Sequence, residues 1–456
     1  MTFVIGTILS IVKFVMATIE INFENVMAAI IKFAKGVRNH WKKSIFAAIA
    51  ISYGIKYGID KHETNKLMRI YCEKAARYGK QPLKNDSLPR NITVILNPNA
   101  NKRKASQNFE KYCAPILNLA GICVDIIQTD SEGHAKTIMN DLAPTDAVVV
   151  AGGDGTLSEV ITGALRRTGE KPNNILPIGI LPLGRTNTIA KALFPGGDYL
   201  EDVRSLADAT LAVVEEMVKP VDIMRIEIVE DDAAEESKPV YAVGGIEWGA
   251  YRDAQVQKDS YWYFGSLRKY ATYIFNGYKN NLNWNCEALI KYSVPCDGCS
   301  NCHTSEKSTE NKRWYNRFLS NKSPNVTSRK INQQCKEIHE QTISTSDFGL
   351  LTSNTITDPS ETADSIPKLR LNIGPQQVDY LDFVRQGWRS EQGQDRDIAN
   401  VIEARQVEIH PFAVSDETKE LWFSIDKENF EVKPVRVTLL PKLINMFCKK
   451  GDVMAG

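Results

Sequence analysis

Two signatures are missing from this chain. Neither Gly-x-x-x-x-Gly-Lys-Ser/Thr nor Gly-x-Gly-x-x-Gly occurs in its 456 residues, so by motif it is neither a P-loop enzyme nor a protein kinase. A charge excess is missing too: 56 Lys and Arg against 55 Asp and Glu leave a net +1, without the basic surplus that holds a nucleic-acid backbone. The apolar stretches near the N-terminus, Phe3 to Ala17 and Ser44 to Ile55, fall short of the roughly 20 residues that a spanning helix needs. Acidic residues are absent from Asn25 to Ile59, where Lys32, Lys35, Arg38, Lys42, Lys43 and Lys56 stand among apolar residues. That is the composition of a mitochondrial presequence or of a signal-anchor flank. The nine cysteines are odd in number and scattered, which argues against a disulfide framework. Cys113 and Cys123 sit in apolar settings and read as core fillers.

What is present is a series of turns at strand ends. The apolar run Asp146 to Ala151 leads into Gly152-Gly153-Asp154-Gly155-Thr156 and then into a segment with helical apolar spacing, Leu157 to Arg167. Glycines let backbone N–H groups converge on phosphate oxygens, and a helix N-terminus adds its dipole. Asp154 is the odd member: it either holds Mg²⁺ or accepts from a hydroxyl, or it caps the turn as a helix cap. A second run, Ile175 to Leu181, ends in Pro182-Leu183-Gly184-Arg185-Thr186-Asn187, and a third, Ile92 to Leu96, ends in Asn97-Pro98-Asn99 followed by Lys102, Arg103 and Lys104. Alternating strands and helices would bring all three turns to one edge of a parallel sheet, where open α/β folds bind ligands.

These motifs, with Glu132-Gly133-His134-Ala135 between them, occur in the order and approximate spacing of the lipid kinases of the diacylglycerol kinase catalytic type. That family is related to the sphingosine kinases and, more distantly, to the NAD kinases. Arg38-Asn39-His40-Trp41-Lys42-Lys43 and Trp248 to Ala254 resemble the mitochondrial acylglycerol kinases within it. The resemblance covers roughly residues 36–295 and 366–448. It implies an α/β nucleotide-binding domain with a parallel sheet, followed by a β-sandwich-like second domain, with the active site in the cleft between them. Beyond residue 220 the residues themselves point to β structure, in the short runs Val221 to Val229, Val240 to Gly245, Leu369 to Ile373, Val407 to Ile409, Trp422 to Ile425 and Val435 to Leu440. The expected organisation is a targeting or membrane-anchoring helical segment over 1–60, a helical linker over 61–89, the ATP-binding domain over 90–220 and the β-rich lipid-site domain over 221–448.

The resemblance also assigns roles. Asn97, Gly152, Gly153, Asp154, Gly155, Thr156, Gly184, Thr186 and Asn187 would hold ATP, with Asp154 fixing Mg²⁺. Arg268 would offset charge on the phosphates, and Trp248 and Asp253 would meet the lipid. Asp426 and Glu428 stand where the family carries Asp-Gly-Glu, so Asp426 would accept the proton of the attacking hydroxyl and Glu428 would face the nucleotide. Lys427 replaces the glycine, and a lysine is disfavoured at any φ > 0 position there. The acidic residue that meets the amine of sphingosine aligns with Gln255, so a free amine is not the expected substrate. The expected reaction is ATP-dependent phosphorylation of mono- and diacylglycerol, and of ceramide, at the mitochondrial inner membrane facing the intermembrane space, with no nucleic-acid partner. Other readings are a subunit of the inner-membrane carrier translocase, a soluble NAD kinase-like enzyme and a lipid-sensing protein.

One cluster stands outside this scheme. Cys296, Cys299, Cys302 and His303 have metal-ligand spacing, but four ligands within eight residues lack the second turn on which a zinc knuckle draws. They open a polar stretch within 296–367 that reads as a disordered insertion.

Overall fold

The computed structural model describes residues 40–82, 88–171, 174–194, 200–229, 238–279, 286–296, 337–355, 366–394, 396–412 and 421–449, together with Lys32, Cys299, Asn332 and Cys335. The chain divides into two compact units, Met1–Arg69 and Ile70–Gly456. One continuous helix, α1 (Trp41–Gly79), leads from the first into the second without a break at residue 60. Within the first unit Ile45, Phe46, Ile49, Tyr53 and Ile59 are exposed along it. No helix among the described residues is long and apolar enough to cross a membrane. The Phe3 to Ala17 run lies outside the described residues.

The second unit begins as alternating strand and helix. Strands β1 (Asn91–Leu96), β2 (Cys123–Gln128), β3 (Ala147–Gly152) and β4 (Ile178–Pro182) pair in parallel in the order β2-β1-β3-β4. β3 is buried at every residue, as a central parallel strand covered on both faces must be. β2 is the edge, which leaves Cys123 exposed and makes it no core residue, whereas Cys113 is buried. Between the strands lie short helical turns over 100–119, then α2 (His134–Ile138) and α3 (Asp154–Thr168), and beyond β4 come α4 (Thr188–Leu193) and α5 (Glu201–Glu215). α3 buries Leu157, Val160, Ile161, Ala164 and Leu165, carries Asp154 in its first turn and Arg166 and Arg167 in its last, and stops at Gly169 in the left-handed region.

The remaining strands are β5 (Val218–Ile228), β6 (Val240–Ala242), β7 (Gly245–Gly249), β8 (Cys286–Ser293), β9 (His339–Thr345), β10 (Asp347–Thr352), β11 (Leu369–Ile373), β12 (Asn400–Ala404), β13 (Gln406–Pro411), β14 (Trp422–Ile425), β15 (Glu428–Glu431) and β16 (Val435–Phe447). They correct two expectations. The nucleotide-side sheet is mixed and does not stop at the domain boundary: it runs on as β4-β16-β13-β8-β9 into a ten-stranded sheet. The sandwich therefore has this sheet as one layer, with the six-stranded sheet β12-β11-β10-β7-β14-β15 as the other. Met224, Ala288, Val407 and Val437 from the first layer share one buried core with Trp248, Phe348, Leu371 and Phe423 from the second. Helices α6 (Ala250–Gln257), α7 (Arg268–Lys279) and α8 (Tyr380–Glu391) build a smaller core around Tyr251, Tyr273 and Phe383.

Residues 337–355 are likewise not a disordered insertion. β9 and β10 occupy them, and β10 pairs with both β7 and β11 in the centre of its sheet. Ser and Thr gave this stretch a linker-like composition, but Thr345 and Thr352 are buried and hydrogen-bonded, with Thr345 Oγ1 donating to the Gly374 carbonyl at 3.0 Å.

β16 spans the seam. It pairs with β5 along nearly its whole length, with β13 at its start and with β4 at Met446, and its register with β5 shifts between Leu440 and Ile444. Lys442 lies within this bulge at φ 51°. Its N–H donates to the buried Asp222 carboxylate at 2.8 Å, which also accepts from Ser353 Oγ at 2.7 Å. Asp222→Ala removes the shared acceptor of both donors and is expected to lower unfolding free energy by about 1–3 kcal/mol. A urea midpoint that does not move would show that the bulge holds without it.

Candidate active site

The C-terminal ends of β1, β3 and β4 form one wall. Gly153 and Gly184 meet there backbone to backbone: a Cβ on Gly184 would lie 2.2 Å from Gly153 Cα, and one on Gly153 would lie 2.8 Å from the Thr186 carbonyl oxygen. Only glycine fits at either place. Leu183 N–H donates to the Gly152 carbonyl at 3.1 Å, and Asp154 N–H to the Thr186 carbonyl at 3.1 Å. Asn97 reaches over from β1, its Nδ2 donating to Thr156 Oγ1 at 3.2 Å.

A cavity of about 520 Å³ opens on this wall. Asn97, Gly153, Gly155, Thr156, Gly184, Thr186, Arg268 and Glu428, all expected at a nucleotide site, line it. So do Lys102, Arg185, Glu132 and Glu159. Asp259 pairs with both Arg185 and Arg268, at 3.2 Å to the latter, and so holds two guanidinium groups at the rim. Asn101, Lys102 and Arg103 all have positive φ, 48°, 58° and 66°, and turn the basic segment after β1 toward the cavity. At the opposite end of β3 and β4 a cavity of about 570 Å³, lined by Leu142, Val148 and Ile178 among others, gathers no carboxylate.

Five expected contacts are placed differently. Asp154 does not line the large cavity: its buried carboxylate accepts from Thr188 N–H at 2.8 Å and Ile189 N–H at 3.2 Å, so it caps α4 from across the loop. The carboxylates that do line the large cavity are Glu132, Glu159, Asp259 and Glu428. Asn187 closes its own turn, accepting from Gly184 N–H at 3.1 Å and donating to the Gly184 carbonyl at 3.0 Å. Trp248 is a core residue, edge-on to Phe423 and Phe348 between the two sheets, not a lipid contact. Gly152 sits behind the loop against Thr156, and Asp253 pairs with Arg252 at 2.8 Å away from both cavities.

The hairpin between β14 and β15 supplies the other wall. Asp426 and Lys427 form its two-residue turn at φ 46° and 72°, a tight hairpin turn for which the family's glycine would be the easier choice. Three N–H groups hold the buried Asp426 carboxylate there: Val243 at 2.7 Å, Gly244 at 2.8 Å and Gly245 at 3.0 Å. Lys427 Nζ meets both Glu247 oxygens at 2.6 Å, and this ion pair holds a lysine where glycine was expected. Burial pushes Asp426 up to about 6, against the pull of these N–H groups. Glu428 is pushed up to about 7 by burial, then by the charges of Glu159, Glu132 and Asp426. It faces α3, where a Cβ on Gly155 would lie 2.5 Å from its Oε1. Two residues earlier, Asp426 lines a separate cavity of about 200 Å³ with Asp154, Thr188, Gly244, Gly245, Glu247 and Lys427. Glu159 caps α2, accepting from Gly133 N–H at 2.8 Å and Ala135 N–H at 3.1 Å. The Glu-Gly-His-Ala motif thus carried a signal for Glu132 and Glu159. Nothing at sequence level singled out Asp259 or Glu247.

Of the cysteine-rich cluster, Cys302 and His303 lie outside the described residues, while Cys296 and Cys299 stand beside Cys335, with all three sulfurs within 4.8 Å of one another.

The chain matches three family models: Diacylglycerol kinase catalytic domain over residues 91–226, Acylglycerol kinase C-terminal over 243–453, and Inner membrane protein import complex subunit Tim54 over 38–141. Mitochondrial acylglycerol kinase of Xenopus laevis is 34% identical over 428 residues, covering 92% of this chain and 96% of that protein. The Homo sapiens protein of the same name is 34% identical over 427 residues, covering 91% and 96%. Among solved structures, a diacylglycerol kinase from Bacillus anthracis aligns at a TM-score of 0.45 and 14% identity over 80% of this chain and 99% of that one, a likeness too loose to bear on the site.

Gly184→Ala drives a methyl into the Gly153 backbone. The expected outcome is a rise in the dissociation constant for ATP of at least about tenfold, roughly 1.4 kcal/mol, in a protein that still folds. Calorimetric titration with nucleotide checks it.

Proposed function

The chain belongs to the acylglycerol kinase family and is a lipid kinase, and from that premise we propose that it transfers the γ-phosphoryl group of ATP to the primary hydroxyl of monoacylglycerol and diacylglycerol, and of ceramide. The products are lysophosphatidic acid, phosphatidic acid and the ceramide phosphate. The observation that carries this reading is the hairpin that joins two cavities: Glu428 faces the larger, beside Gly155 and Arg268, and Asp426 faces the smaller. Phosphate and hydroxyl then approach from opposite sides of one rigid turn.

In this mechanism the ATP phosphates lie at the N-terminus of α3, where backbone N–H groups and the helix dipole favour negative charge. Lys102, Arg185 and Arg268 offset charge on the transferring group. Asp426 takes the proton from the lipid hydroxyl as the oxygen bonds to phosphorus and the bond to the ADP oxygen breaks. Asp154 positions the α4 turn at the border of the smaller cavity. The donor set fits a divalent cation: Glu132 and Glu428 face the same cavity, and the charge of Glu132 adds to the cost of ionising Glu428. Those two residues would hold Mg²⁺, whose charge balances the phosphate oxygens. Glu247 pairs with Lys427, whose Nζ also lies 3.5 Å from Gln255 Oε1. That pairing neutralises the Glu247 carboxylate, in keeping with an alcohol substrate.

The match to an import-complex subunit over 38–141 and the mitochondrial relatives support a further reading, that the protein sits at the mitochondrial inner membrane facing the intermembrane space and also takes part in a protein translocase. This role needs the N-terminal segment and a surface, not Asp426. An Asp426→Asn protein that is still digested by protease added to mitoplasts and still co-purifies with an inner-membrane translocase is the expected outcome; loss of both would tie the role to catalysis.

The reaction is tested with full-length protein, labelled ATP, Mg²⁺ and micellar monoacylglycerol, diacylglycerol, ceramide or sphingosine. Label is expected in the first three products. Asp426→Asn should lower kcat by roughly 10²–10⁴-fold. Because the base acts only when deprotonated, wild-type kcat should fall about tenfold per pH unit below about 6, and this limb should vanish in the variant. Label in sphingosine alone, or none with folded protein, overturns the reading.

A further inference from the structure

The connection between β8 and β9 leaves and re-enters the edge of the ten-stranded sheet at one place. Tyr292 pairs with His339 at its mouth. Cys296 stands three residues beyond the end of β8, and Cys335 four residues before the start of β9. Cys299 lies between them and is buried, as is Cys335. The Sγ atoms of Cys299 and Cys335 are 3.3 Å apart, and all three sulfurs lie within 4.8 Å of one another.

These distances have a chemical meaning. Two sulfurs joined in a disulfide lie about 2.05 Å apart. Two thiolates on a tetrahedral Zn²⁺, each about 2.3 Å from the metal, lie about 3.8 Å apart. The 3.3 Å separation exceeds the first value, and the 4.8 Å bound on all three admits the second. A disulfide would also use only two of the three sulfurs. Cys296 and Cys299 have the Cys-x-x-Cys spacing of a zinc knuckle, and Cys335, 36 residues on, supplies the ligand from a second turn. Asn332 adds an outer layer: its Nδ2 donates to Cys296 Sγ at 3.7 Å, and its carbonyl lies 3.9 Å from Cys299 Sγ. Such contacts orient metal-bound sulfur.

We propose that Cys296, Cys299 and Cys335 bind one Zn²⁺, which clamps the two ends of the β8–β9 connection to the sheet edge. Binding ionises the three thiols and releases their protons, and the fourth position is left for water or another ligand. None of these residues lines the phosphate or hydroxyl cavity. The site is therefore structural, and it stands or falls separately from the kinase reading.

The test uses the full chain purified under reducing conditions with zinc in the medium. Elemental analysis should find one zinc per chain, and exchange for Co²⁺ should bring up the sulfur-to-cobalt absorption of at least three thiolates. Cys335→Ser should lose the metal, whereas Cys123→Ser, at the far edge of the sheet, should keep it. Chelation should lower the Tm and leave ATP binding at the distant cavity intact. Because the wild-type measurement needs no variant, misfolding of Cys335→Ser would not obscure the answer. Absence of zinc in folded wild-type protein overturns the proposal, and so does a Cys299–Cys335 disulfide seen as a mass loss of two hydrogens.

Discussion

Three backbone N–H groups converge on one buried carboxylate, and the candidate active site depends on them. Asp426 would be costly to bury alone. Held by Val243, Gly244 and Gly245, it instead fixes the turn between β14 and β15 against the start of β7. Everything on that wall follows from the turn: Asp426 toward the smaller cavity, Lys427 toward Glu247, Glu428 toward the first turn of α3. The three N–H groups lower the Asp426 pKa and burial raises it, with burial the larger effect. The result is a carboxylate that is ionised at neutral pH yet still basic enough to take a proton.

Asp154 plays the matching part on the opposite wall. Its carboxylate and its own N–H both bind the 186–189 segment, so the ends of β3 and β4 move as one piece. The glycines at 153 and 184 permit that contact because nothing larger than hydrogen fits between the two backbones. Two acids with the same chemistry thus have different work, one clamping loops and the other facing a substrate. Both border the smaller cavity, Asp426 from the hairpin turn that three N–H groups hold and Asp154 from the α4 turn that its carboxylate caps.

The long mixed sheet carries the glycine-turn wall on into the layer that packs against the hairpin's own sheet. β16 pairs with the parallel strand β4 near one end and with the antiparallel strands β5 and β13 elsewhere. Separating these strands would break the backbone pairs of β16 with β5 and β13.

The sequence by itself determined the parts whose physics is local. Short apolar runs between turns placed β11 at Leu369–Ile373 and β14 at Trp422–Ile425, and the Asn-Pro turn after β1 and the glycine turns after β3 and β4 were legible because such residues at strand ends have few other uses. Tertiary structure decided what depends on distant partners. Asp154 became a cap because α4 lies beside it, and Trp248 became core because two sheets close over it. β9 and β10, read as part of a disordered insertion, became an edge strand and a central strand, with the Thr345 and Thr352 hydroxyls finding backbone acceptors. Cys335 joined Cys296 and Cys299 only when β8 and β9 paired. Composition and spacing report what a residue can do, but burial and long-range pairing select which of those things it does.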